Sequence, residues 1–142
     1  MFTTTFVLQA LLLLFVKHFI ADFPLQKWAY QYANKGTYGH PGGLLHAGIH
    51  VIGTFAVFMF MFDQLSLAAV YVAGFLALLD GIIHYHVDWA KMSLNKAKGW
   101  GPNTHNEFWV LLGVDQLLHA LTYILLVSLL CFENIFVLFT FF

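Results

Sequence analysis

Four apolar stretches, each long enough to cross a bilayer, recur along this chain. A helix needs roughly 20 apolar residues to traverse ~30 Å of hydrocarbon. Such stretches lie at about residues 6–23, 44–62, 67–88 and 108–130. With 61% of 142 residues apolar and only 9% charged, a soluble fold of this size would leave much of that surface in water. The expectation is an all-α membrane protein: a single four-helix, up-down transmembrane domain over residues 1–142.

The breaks between the spans are chemically distinct. Residues 34–43 form a Gly/Pro-rich loop, residues 63–66 a tight turn with Ser66 as a helix cap, and residues 96–104 a second polar loop. The first span lacks the positive flank and small-residue cleavage site of a signal peptide. Pro24 either kinks the first helix beside Asp22 or ends it. The aromatic tail, residues 132–142, either extends the last helix or lies in the interface. Cys131, the sole cysteine, has no partner for an internal disulfide.

All the basic residues are lysines, at positions 17, 27, 35, 91, 96 and 98, at or near the first and third connections. The positive-inside rule puts those connections in the cytoplasm and both termini outside. Trp28, Trp89, Trp100 and Trp109 lie on the same side, as an interfacial belt would. A net charge of −1 without arginine offers no basic surface for nucleic acid. The segments 17–23 and 83–89 also resemble each other, which suggests two repeated helical hairpins.

Chemistry enters through a ladder. The first span carries His18 and Asp22, the second His46 and His50, the third Asp80, His84 and Asp88, the fourth Asp115 and His119. Neighbours within each span are four residues apart, which stacks them on one helix face. Up-down topology brings all four sets to similar depth, near the cytoplasmic side. A charged Asp within a span costs ~2.5–3.5 kcal/mol on insertion scales, so four unpaired ones cost on the order of 10 kcal/mol. Lys17 can snorkel to the headgroups and is not counted as their partner. A divalent metal supplies the missing charge, and structural zinc binding is worth ~10–16 kcal/mol in small peptides.

All nine of these residues are therefore candidate metal ligands, enough for one ion or two. Zinc is favoured, with iron or manganese as alternatives. Asp80, one turn deeper, is also suited to orienting a ligand histidine. Asp88 and Asp115 are the candidate catalytic carboxylates, acting on a metal-bound water. His86 is rotated ~200° from His84 and is expected to face away. His40 belongs to a loop, His105 to a helix start with Glu107 in its first turn, and Gln26 and Gln116 are candidate pocket donors.

The combination His18-x-x-x-Asp22-Phe23-x-x-Gln26, His46-x-x-x-His50, His84-x-x-x-Asp88-x-x-Lys91 and Asp115-Gln116-x-x-His119 resembles the small bacterial and phage membrane proteins grouped as the "domain of unknown function 3307" family. The resemblance implies a bacterial inner-membrane location and no particular reaction. There is a looser likeness to membrane-bound metal-dependent hydrolases. The preferred expectation is a metal-dependent hydrolase taking an amphipathic or lipid-linked substrate, a phosphoester for instance, from the cytoplasmic leaflet. Lys27, Lys91, Lys96 and Lys98 would attract its head group. The alternatives are a di-iron or di-manganese oxidase or hydroxylase, and a non-enzymatic ion or proton transporter or metal-stabilised assembly module. The apolar helix surfaces permit a homo-oligomer without demanding one.

Overall fold

A computed structural model describes residues 2–27, 34–62 and 65–132. It contains four long helices: α1 (Thr4–Asp22), α2 (Pro41–Met61), α3 (Leu67–Lys98) and α4 (Asn106–Cys131). All four are long and apolar enough to cross a membrane. Each packs against its neighbour in sequence, and α1 also packs against α4, so the bundle closes on itself.

Local chemistry sets the helix ends. The Thr3 and Ser66 hydroxyls accept from the backbone N–H of Phe6 and Ala69, each at 3.1 Å, and cap α1 and α3. The predicted cap at Ser66 is present. His40 caps α2 through Nδ1, which accepts from Gly42 N–H at 3.0 Å, and Pro41 opens the helix. Helix α2 thus begins three residues before the apolar stretch does. His105 occupies the N-cap position of α4 but makes no capping bond with its side chain. Pro24 terminates rather than kinks: α1 stops at Asp22 and a short 3-10 turn, Leu25–Lys27, follows. Helix α4 stops at Cys131, and residues 133–142 of the aromatic tail lie outside the described residues, as do residues 63–64 and Trp28.

Helix α3 departs most from expectation. Residues 96–98 were expected in a loop, yet the helix runs unbroken to Lys98 and ends on Gly99 in the left-handed conformation (φ +67°). Its 32 residues extend ~48 Å at 1.5 Å per residue, well beyond a ~30 Å hydrocarbon core. The apolar window ends near Asp88 because the following turns are polar, not because the helix stops.

One end of the bundle is apolar. Leu14, Phe58, Val72, Leu76, Leu126 and Leu130 form its buried core, with Ala10 and Ala73 allowing close approach. The other end holds the polar ladder. Helices α2 and α3 approach closely there: a Cβ on Gly81 would lie 2.3 Å from Val51 Cγ2.

Candidate metal centre

All nine ladder residues are buried. Four helices present them to a common interior, as the four-residue spacing requires. At the heart, Asp22 Oδ1 lies 2.9 Å from His46 Nε2, 3.3 Å from His50 Nε2 and 3.5 Å from His84 Nε2. Asp88 Oδ2 lies 3.2 Å from His84 Nε2 and 3.3 Å from His46 Nε2. The Nε2 atoms of His46 and His84 are themselves 3.0 Å apart. The ladder supplies three overlapping metal-capable groups: Asp22, His46, His50 and His84; His18, His84 and His119; and Asp22, His84, Asp88 and His119.

Asp80 and Asp115 sit at the margins and belong to none of those groups. Asp80 Oδ2 accepts from Lys17 Nζ at 2.8 Å and from the Thr54 hydroxyl at 2.5 Å. Asp115 Oδ2 accepts from Lys91 Nζ at 2.8 Å and Gln116 Nε2 at 3.0 Å, while its Oδ1 lies 3.5 Å from His119 Nε2.

Lys17, left out of the charge count because it can snorkel outward, pairs inward with Asp80. Lys17 is 9% exposed and turns into the bundle. Its three N–H donors meet three acceptors: Asp80 Oδ2, Tyr123 OH at 3.2 Å and His50 Nδ1 at 3.3 Å. Gly53 makes the room, since a Cβ there would lie 2.7 Å from Lys17 Cγ. An ammonium only donates, so His50 Nδ1 accepts, and a neutral ring then carries its proton on Nε2, towards Asp22. The same logic reaches His18. Tyr123 OH accepts from Lys17 and therefore directs its own proton to His18 Nδ1, 2.9 Å away. His18 Nε2 then faces Gln116 Oε1 at 3.2 Å and Asp22 Oδ2 at 3.3 Å as a donor.

Two more lysines join. Lys35, from the α1–α2 connection, is 3% exposed. Its ammonium lies 2.5 Å from Asp88 Oδ2 and 3.7 Å from Asp22 Oδ1, and it donates to Gln26 Oε1. Lys91 pairs with Asp115 and, at 3.4 Å, with Asp88 Oδ1. Three ammonium groups therefore face four carboxylates. The formal deficit is one charge, where sequence reasoning counted four.

The core of the cluster fits a metal ion. A tetrahedral ion with ~2.0–2.1 Å bonds sets its ligand atoms ~3.3 Å apart. The distances from Asp22 Oδ1 to His46 and His84, and between those two histidines, fall at 2.9–3.5 Å. Nε2 of His119 and Oδ2 of Asp88, both in the metal-capable groups, are buried without an aligned hydrogen-bond partner. Asp88 Oδ2 is within ion-pair range of Lys35 but is not aligned to accept from it. His46 and His84 suit ligation better than His18 and His50: no donor reaches their Nδ1 atoms, so nothing forces the ring proton onto Nε2, the nitrogen that faces the Asp22 and Asp88 oxygens.

Other expectations resolve simply. His86 is exposed and turned away; its Nδ1 lies 2.7 Å from Ile82 O. Gln26 and Gln116 both reach the cluster. Lys96 and Lys98 are exposed at the end of α3, and the Lys27 side chain lies outside the described residues. Sequence reasoning missed Thr54 and Tyr123. Extending the ladder by four residues from His50 and His119 reaches both.

Comparison with curated proteins yields no match. Comparison with solved structures likewise yields none. The family described as "Protein of unknown function (DUF3307)" matches residues 10–141. That stretch takes in every residue of the polar cluster, and the chain belongs to this family.

Proposed function

We propose that this protein is an integral membrane metalloenzyme, a hydrolase that acts on an amphipathic substrate at the membrane surface. One observation supports this reading above the others: the His46 and His84 nitrogens, 3.0 Å apart, converge with the Asp22 and Asp88 oxygens inside a bundle of membrane-length helices. Three or four of Asp22, His46, His84, Asp88 and His119 would hold the ion. The charge count favours one ion over two. One divalent ion takes the four carboxylates and three lysines from −1 to +1, and a second takes them to +3, which a low-dielectric site disfavours.

When bound, such an ion brings the pKa of a coordinated water towards ~7. Asp115 is the carboxylate best placed to take a proton, because its Oδ1 has no aligned partner and lies near His119. Lys91 fixes the other oxygen of Asp115. Lys17, directly at His50 and by way of Tyr123 at His18, turns the Nε2 atoms of both rings towards Asp22. The orientation with the site at the cytoplasmic face rests on Lys27, Lys96 and Lys98, because the other three lysines belong to the cluster.

The test is elemental analysis of the purified protein, with His46→Ala and His84→Ala alongside. About one divalent ion per chain, lost in both folded variants, supports the reading. Folded protein that never retains a metal removes it, and bound iron with oxygen-dependent turnover replaces the hydrolase with an oxidase. A second reading is favoured by the three buried lysines: a metal-free His–Asp–Lys network that relays protons. It predicts unchanged thermal stability on adding zinc, where the metal reading predicts a rise.

A further inference from the structure

We infer that the groove between α3 and α4 seats one lipid molecule with a phosphate head group, its chain against α3 and its phosphate at Lys91. This rests on the hydrolase reading and names its substrate class. The groove has a volume of about 480 Å³, within the ~300–1,000 Å³ of small-molecule pockets. Its walls are apolar, with Ile82, Val87, Leu94, Leu111, Val114 and Leu118 among them. Ile82, Val114 and Leu118 are exposed to whatever surrounds the bundle, so the groove opens sideways into the bilayer.

Depth selects the occupant. Counting 1.5 Å per residue from Leu67, a ~30 Å core places the hydrocarbon boundary near Asp88. Ile82 and Leu118 then lie in hydrocarbon, and Lys91 lies just beyond the boundary. The groove is therefore apolar at its deep end and charged where a lipid's head group begins. Lys91 and Asp115 form its polar wall, and both belong to the cluster: Asp88 Oδ1 and Asp115 Oδ2 accept from Lys91. Those two bonds use two of the three ammonium protons, which leaves one for a phosphate oxygen. Lys98, seven residues on and so on the same face of α3, adds positive charge along the same edge. Asp115 turns its Oδ2 to Lys91 and Gln116, so that oxygen is engaged before a phosphate arrives. His86 also lines the groove, with its Nε2 lying 3.1 Å from Tyr38 OH.

The full-length protein, reconstituted into phosphatidylcholine nanodiscs, tests this with two photoactivatable probes. Phosphatidic acid and phosphatidylcholine each carry a diazirine on the acyl chain, and labelled residues are mapped by mass spectrometry. The expected result is phosphatidic-acid labelling of Val87, Ala90, Leu111 and Val114 about tenfold above that of Phe19 and Leu45, a ratio of ~1.4 kcal/mol. Ala90→Trp and Leu111→Trp, filling the groove from opposite walls, should each abolish that enrichment while metal content stays unchanged. Lys91→Gln should lower phosphatidic-acid labelling to the phosphatidylcholine level. Even labelling of all lipid-facing helices, equal labelling by both probes, or enrichment that survives both tryptophans overturns the inference. Concentrated labelling in protein that never holds metal sinks the hydrolase and keeps the groove, whereas bound metal with even labelling does the reverse.

Discussion

The two ends of this bundle are held together by different physics. Around Leu14, Phe58 and Leu76 the helices meet through shape alone. Lipid tails are as apolar as leucine, so burial there gains little beyond close packing. Around Asp22, Asp80 and Asp88 the helices meet through charge. Lys17 of α1 pairs with Asp80 of α3, Lys91 of α3 with Asp115 of α4, and Lys35 of the α1–α2 connection with Asp88 of α3. Specificity therefore resides at the polar end. The apolar end accepts many side chains of similar volume, while the polar end accepts few, because each charge there depends on a named partner.

Removing one partner should separate the two ends most clearly. Lys17→Met leaves Asp80 buried with only Thr54, and the expected loss is ~3–5 kcal/mol of stability. Asp80→Asn added to Lys17→Met should recover much of it, and reversible unfolding in mixed micelles measures both. If the double variant is no better than the single, the pair does not carry the polar end. At the apolar end, Leu76→Ala should cost ~2–3 kcal/mol, below the usual upper range because the cavity term dominates in lipid. A loss there exceeding that of Lys17→Met would invert the comparison.

Within the polar end, the hydrogen-bond directions divide the histidines. His84→Ala should abolish metal retention, whereas His50→Ala should weaken it only ~10–100-fold, as loss of an orienting partner does. Metal titration by calorimetry reads the contrast, and equal losses would assign His50 a ligand's role. The smallest effect belongs to a helix end remote from the cluster. Ser66→Ala removes the α3 cap and should cost about 1 kcal/mol without altering metal affinity. A change in affinity would mean that the two ends are coupled along α3.

Much of this was legible in the sequence, for a definite reason. Apolar length reveals a membrane span, and a four-residue rhythm reveals a face, so four helices and nine inward residues follow from the order of letters. The hidden part is pairwise. A lysine near the end of a span reads as a headgroup anchor unless one knows that Gly53, on another helix, leaves space for its stem. Lys35 lies in a connection with no period at all, and nothing nearby marks it as a partner of Asp88. The far end of α3 was hidden differently. Residues 89–98 are helical but polar, and hydropathy measures the solvent a helix crosses, not where it stops. The expected charge deficit was too large for the same reason: it was counted along each span, whereas neutralisation occurs between them.

The uninterrupted run of α3 from Leu67 to Lys98 has a mechanical consequence. Asp80, His84 and Asp88 are fixed to the same rigid rod as the exposed lysines at its tip. No break in the helix separates that tip from the cluster. Whatever binds the exposed lysines at that end would act on three of the nine inward residues through one continuous helix.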